Sequence, residues 1–195
     1  MPSGGWVRCT EVERMCLSEM PDFQAFCRAY AVGDIMRLTR DDRRCFETQL
    51  SPTMAQIDNM YGKGMAGTWV ATILTFMNEM RPEGRRMTPQ QIVFSSSFLA
   101  SSFPYLKASE ILLFFRRAMG GAYGKLFYGA MDGHDLGAAL REHFLKERAR
   151  MYDRIETERR REKEEREREE AVYDPERMAA IMERLNSKLG AVHGK

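Results

Sequence analysis

The chain has 195 residues, of which 44% are hydrophobic and 30% charged, with 30 Lys and Arg against 28 Asp and Glu for a net charge of +2. That much apolar material builds a real core and excludes wholesale disorder. The near balance of charge provides no overall field that would demand nucleic acid or an anionic membrane as partner.

Cys9, Cys16, Cys27 and Cys45 all lie in the first quarter without a Cys-x-x-Cys pair, and His134, His143 and His193 are far away in sequence. Zinc sites are built from close ligand pairs, so no metal and no cofactor is expected. The thiols are expected to be free, in a reducing cytoplasm. No basic segment followed by an apolar run opens the chain, so no signal peptide is expected. The longest uncharged stretches are Gly64 to Asn78 and Thr88 to Leu106. The first falls short of the about 20 apolar residues that span a bilayer, and the second is interrupted by five serines and Pro104. No membrane partner is expected.

Apolar residues recur at helical spacing and period-two alternation is scarce, which predicts an all-α fold. Asp22 to Met36 carries Phe23, Phe26, Cys27, Tyr30 and Ile35, an amphipathic helix loosened near Gly33. Thr39 is the expected cap of a helix reaching about Leu50, with Asp41 and Asp42 suiting its dipole. Ser51-Pro52 breaks the pattern. Ala66 to Met80 reads as a core helix, with Trp69, Ile73, Phe76, Met77 and Met80 on one face, widened by Val70 and Leu74.

Thr88-Pro89-Gln90-Gln91 is a strong start signal: an N-cap, a proline in the first helical position and a capping-box glutamine. The helix that follows puts Ile92, Ser96, Leu99 and Phe103 on one face, and its small serines let a neighbouring helix approach. Pro104 ends it. Ser109 is the expected cap of the next helix, which buries Ile111, Leu112, Phe114, Phe115 and Ala118 and carries Arg116 and Arg117 in its last turn. Gly120-Gly121 stops it. Ala122 to Gly133 reads as a structured aromatic loop.

A long final helix is expected from His134 or Asp135, docking through Leu136, Leu140, Phe144 and Leu145. Residues 146–170 hold ten basic and ten acidic side chains, with i, i+4 pairs such as Glu162–Arg166, and no apolar residue occurs from Glu156 to Glu170. A coiled-coil seam is therefore missing, and a solvated helix about 50 Å long is expected. Asp174-Pro175 then caps a short amphipathic helix with Met178, Ile181, Met182, Leu185 and Leu189. The expected organisation is a helical body over 1–145, a charged helical extension over 146–173, and a short helix with a frayed tail over 174–195.

Chemistry is thinly signalled. Gly120-Gly121-Ala122-Tyr123-Gly124-Lys125 has one residue too few between its outer glycines for a nucleotide-binding loop, and Leu126 follows the lysine where Ser or Thr would hold magnesium. Asp132, His134, Asp135 and His143 do not share a helical face at adjacent turns, and no Ser-His-Asp or Cys-His pattern occurs, so no catalytic residue is assigned. Arg116, Arg117, Lys125 and Arg141 around Tyr123, Phe127 and Tyr128 form a candidate surface for nucleic acid or a partner, since aromatic and basic side chains suit unpaired bases. The plainer reading has Tyr123 covering the core and the arginines solvated. Fifteen methionines are unusual. Met178 and Met182, with Ile181 and Leu185, form the second candidate surface, a partner-binding helix.

From Met87 to about Tyr152 the order of features resembles a family of small, largely uncharacterised bacterial and phage or mobile-element proteins. The matching features are Thr88-Pro89-Gln90-Gln91-Ile92, Tyr105-Leu106-Lys107, Phe114-Phe115-Arg116-Arg117-Ala118-Met119, Tyr123-Gly124-Lys125-Leu126, Asp132-Gly133 and Glu147-Arg148. The resemblance covers about a third of the chain, and Phe127-Tyr128-Gly129 departs from it. It implies an all-helical fold and an accessory role in DNA replication, and small phage helicase loaders offer an analogy in size and build. The expected function is therefore a non-enzymatic replication accessory protein of a phage or mobile element. It would bind a protein partner, a replicative helicase or primase, with DNA as a further candidate ligand. The alternative is a structural or regulatory interaction module acting through its C-terminal helices.

Overall fold

In a computed structural model the described residues are 9–124, 126, 132–172 and 178–185. Among them the chain is helical, and its only extended pairing is an isolated antiparallel bridge between Thr53 and Lys107. No described helix is long and apolar enough to cross a membrane. The chain divides into two compact units, Met1–Ala149 and Arg150–Lys195.

The first unit opens with α1 (Glu11–Glu19) and α2 (Phe23–Ala29). Thr10 and Glu13 form a reciprocal capping box at the start of α1, and Asp22 caps α2 by accepting from the Ala25 N–H at 2.7 Å. The single helix expected over 22–36 is instead divided. After α2 come a short 3-10 turn, Val32–Asp34, and α3 (Ile35–Leu38). The break lets Tyr30 turn its hydroxyl to the Leu50 carbonyl and its own carbonyl to the Trp69 indole N–H.

Thr39 does not cap the next helix. It is buried with its hydroxyl donating to the Ile35 carbonyl, and Asp41 caps α4 (Asp42–Glu47). An acceptor that reaches the third N–H of the helix outcompetes a hydroxyl already engaged one turn back. A second capping box, Thr53 with Gln56, starts α5 (Met54–Tyr61).

Between α5 and α6 (Met65–Glu79), Gly62 and Gly64 both take positive φ, which only glycine adopts freely. Gly64 has no side chain to cap α6, and Asp58 of the preceding helix accepts the Ala66 N–H at 2.8 Å. Trp69, Val70, Ile73, Leu74 and Met77 of α6 are buried as expected, while Phe76 is half-buried and Met80 is 50% exposed. The apolar face is thus shifted towards Val70 and Leu74.

The start signal at Thr88 is realised: Thr88 and Gln91 cap each other's backbone and Pro89 opens α7 (Pro89–Ser102). Ile92, Ser95, Ser96, Leu99 and Phe103 are buried. Packing runs from α6 to α7 and from α7 to α9 (Gly133–Ala139). The small residues that permit it are paired: a Cβ built on Gly67 of α6 would lie 3.5 Å from the Ser97 Cα, and one on Gly133 would lie 3.3 Å from the Ser95 Cα.

α8 (Ala108–Met119) is deeply buried, with every residue from Ala108 to Phe115 inside. Its cap is Lys107, not Ser109. The Glu110 carboxylate accepts the Lys107 backbone N–H at 2.9 Å, and the Lys107 ammonium donates to the Phe46 and Thr48 carbonyls. Ser109 is the second residue of the helix, buried, with its hydroxyl donating to the Cys45 carbonyl at 2.6 Å. α8 also carries the packing of α3 and α4.

Asp132 caps α9, and the chain then makes a π turn, Leu140–Phe144, before α10 (Leu145–Val172). Leu136, Leu140 and Phe144 are fully buried, as expected of docking positions, while Leu145 is half-buried. The wider turn keeps all three on one side, where four-residue steps along an uninterrupted α-helix would drift.

In the second unit, residues 159–170 of α10 are all exposed, with Lys163 and Glu167 paired one turn apart at 3.6 Å. Residues 178–185 are helical. The expected cap at Asp174-Pro175 and the position of Leu189 lie outside the described residues.

Candidate functional site

The cationic end of α8 and the root of α10 are joined by an ion-pair hub. Arg116 and Arg117 fall in the last turn of α8, where the helix dipole favours cations. α4 packs against α8, and Asp42, in the first turn of α4, accepts from both guanidiniums, one on each carboxylate oxygen. Arg117 also pairs with Glu147 at the start of α10. Tyr123 completes the set: its hydroxyl lies 3.3 Å from the same Glu147 oxygen, and its ring stacks between Phe114 and His143.

Burial would lower the Arg117 pKa, but hydrogen bonds to Asp42 and Tyr123 and the two carboxylates raise it, so it is firmly cationic. Burial and the Glu147 charge push the Tyr123 phenol well above its ordinary range, so it is neutral. Nearby, Glu110 has a fully buried carboxylate bonded to the Arg148 Nε at 2.9 Å, and the Arg148 guanidinium lies 5.7 Å from the Tyr105 ring centre.

The sequence-derived basic and aromatic residues are thus only partly together. Arg116, Arg117 and Tyr123 converge, but around carboxylates, with the arginine side chains 23% and 20% exposed. Tyr123 covers the core. Arg141 sits apart on the outer side of the π turn, exposed, beside Gly137 and the Phe98 ring edge. Lys125, Phe127 and Tyr128 lie outside the described residues. The counter-charges were invisible locally, since Asp42 is 74 and 75 residues from its two arginines.

The second candidate surface is a single face. Met178, Ile181, Met182 and Leu185 fall at i, i+3, i+4 and i+7 and are 45%, 44%, 55% and 49% exposed. A third apolar feature escaped the sequence reading. On α7, Val93 and Phe94 are 62% and 70% exposed, and the Phe94 and Phe98 rings lie parallel within 9° at 6.5 Å. The signal that could have found it is the absence of any charged residue from Pro89 to Ser102, on a helix with an outward face.

Among the described residues no three His, Cys, Asp or Glu side chains are grouped to hold a metal ion. Cys9, Cys16, Cys27 and Cys45 are all free.

Comparison with family models matches residues 87–186, just over half of the chain, to DUF6633, a family of unknown function. The match opens one residue before the Thr88 cap and closes one residue after the 178–185 face. Neither a curated protein nor a solved structure matches.

Proposed function

The chain belongs to DUF6633, a family of unknown function, and from the geometry above we propose that it is a non-enzymatic interaction protein that engages a protein partner through its terminal helix. The observation that carries this is the face of Met178, Ile181, Met182 and Leu185, all between 44% and 55% exposed. Four large apolar residues at i, i+3, i+4 and i+7 are the anchors with which an amphipathic helix enters a hydrophobic groove. Methionine suits such a face because its flexible thioether adapts to irregular surfaces. The non-enzymatic part of the reading is supported by how the body spends its polar groups: Arg116, Arg117, Asp42 and Glu147 satisfy one another.

The partner class comes from the resemblance set out in the sequence analysis: a replicative helicase or primase, in the cytoplasmic replication machinery of a phage or mobile element. DNA as a direct ligand is the second reading. Exposed Arg141 favours it, whereas Arg116 and Arg117 would have to leave their carboxylates to reach phosphate.

The test is binding of the full chain to the purified helicase and primase of the organism that encodes it. The double variant Ile181→Asp/Leu185→Asp should lose binding at least tenfold, while Arg116→Ala/Arg117→Ala should not lose it selectively with rising salt. Binding that survives the first variant would overturn the helix reading, and an affinity for single-stranded DNA that falls steeply with salt would favour the nucleic-acid reading in its place.

A further inference from the structure

The segment from α7 to Tyr105 and the segment from α9 into α10 run side by side in the same direction. A Cβ built on Gly133 would lie 3.3 Å from the Ser95 Cα, and one on Gly137 would meet the Phe98 ring at 2.8 Å and the Arg141 guanidinium at 3.5 Å. Because Gly137 has no side chain, an aromatic edge and a cation share that spot. Seven residues further along both segments the pairing recurs, with the Arg148 guanidinium 5.7 Å from the Tyr105 ring centre. Phe94 extends the row at its near end, its ring parallel to that of Phe98 within 9°. Phe94 is 70% exposed and Tyr105 47%. The two arginines differ in what else they hold. Arg148 is fixed by the buried Glu110 carboxylate at 2.9 Å, whereas Arg141 is exposed and has no carboxylate partner among the described residues. α7 adds no charge to the row, and the exposed Asp135 and Glu142 project about a quarter- to a third-turn away from Arg141.

We infer that this row, Phe94, Phe98 and Arg141 followed by Tyr105 and Arg148, binds the unpaired bases of a single-stranded nucleic acid. The inference rests on the second, nucleic-acid reading and gives it a site away from the arginine cluster. Exposed rings stack on bases of any identity, and guanidiniums beside them add cation–π contact and a charge for phosphate. Phe94 and Tyr105 are the stacking faces, Arg141 supplies the charge, and Arg148 is held in place against Tyr105. Seven residues of helix span about 10 Å, about three steps at the roughly 3.4 Å rise of a stacked strand, so both pairs meet one short stretch of strand. A protein groove fits this row less well. It interleaves aromatic rings with cations, where a groove-binding helix presents apolar anchors at i, i+3, i+4 and i+7, as 178–185 does.

Fluorescence anisotropy of the full chain with a labelled, unstructured DNA strand of about 20 nucleotides, longer than one such site, tests this. The wild type should bind the strand at least tenfold more tightly than the same sequence as a duplex, whose bases are stacked away. Phe94→Ala should weaken strand binding about fivefold or more, the loss of one stacked base, and Phe94→Trp should keep it, since any aromatic face serves. Both changes fall on an exposed side chain, so the fold tolerates them. Arg141→Ala should also weaken binding and lower the slope of log affinity against log salt by about 0.7, the share of one phosphate contact on a single strand. Ile181→Asp/Leu185→Asp should bind the strand as the wild type does. No binding of the strand would overturn this inference and the nucleic-acid reading together. Binding indifferent to Phe94→Ala and lost in Arg116→Ala/Arg117→Ala would overturn this site and leave that reading standing. A duplex bound as tightly as the strand would overturn the stacking on which the inference depends.

Discussion

Arg117 Nη2 lies 2.6 Å from Asp42 Oδ2 across 75 residues of sequence, and Arg116 takes the other oxygen of the same carboxylate. Two adjacent arginines at the end of α8 are therefore held by one residue of α4. Removing Asp42 leaves two guanidiniums facing each other with only Glu147 between them. Asp42→Ala should cost about 1–2 kcal/mol, the scale of a charged hydrogen bond discounted for partial exposure. Urea denaturation measures this, and the deficit should shrink in high salt as the remaining repulsion is screened. A variant as stable as the wild type would show that the hub is ornamental.

Glu110 presents the stronger case, because its carboxylate is fully buried while it caps α8 and holds Arg148. Glu110→Ala strips the capping-box acceptor of the Lys107 N–H and a buried counter-ion in one step, and should cost about 3 kcal/mol in equilibrium unfolding. A loss under 1 kcal/mol, on the order of an exposed pair, would mean that water replaces the carboxylate there.

Close approach of α9 to α7 sets a third expectation. A Cβ on Gly133 would sit 3.0 Å from the Ser95 Oγ and 3.3 Å from the Ser95 Cα, so Ser95 would have to give by a few tenths of an ångström. Gly133→Ala should therefore destabilise by about 1–2 kcal/mol, the range of modest overpacking, despite alanine's better helix propensity. Thermal unfolding of the single variant decides the sign, and stabilisation would contradict the packing.

These contacts show what the sequence made legible. Thr88-Pro89-Gln90-Gln91, the α6 core face and the docking trio Leu136, Leu140 and Phe144 follow from local rules of capping and periodicity. Thr10 with Glu13 and Thr53 with Gln56 carry the same capping signal, yet α1 and α5 were not anticipated, because their apolar patterns are short. Ser109 misled because capping preference ranks residue types, whereas here a lysine backbone N–H received its acceptor from Glu110. At the basic cluster, local pattern found Arg116 and Arg117 and could not find Asp42, since tertiary approach of α4 decides whether a cation faces solvent or a carboxylate.

The Glu13 carboxyl supplies a pH dependence. Burial pushes its pKa up, but the Thr10 backbone N–H, the Asn59 amide and the Thr10 hydroxyl outweigh that and hold it below the ordinary 4.5. A depressed folded pKa stabilises the fold above the unfolded value, and the contribution is lost as pH falls through the folded one. Glu13→Gln should therefore be less stable than wild type at pH 7, with the gap closing below the ordinary value. Melting temperatures of both proteins from neutral to acid pH measure the gap, and a gap independent of pH would contradict the ionised cap.

The central claim is that partner binding belongs to the apolar face of 178–185 and not to the arginine cluster. Hydrogen exchange of the full chain, with and without the purified helicase or primase, tests this most directly. Slowed exchange is expected over 178–185 on adding the partner, with amides of 116–123 and around Arg141 unchanged. Protection of 116–141 with no change at 178–185 would contradict it and move the contact to the basic and aromatic residues of the body.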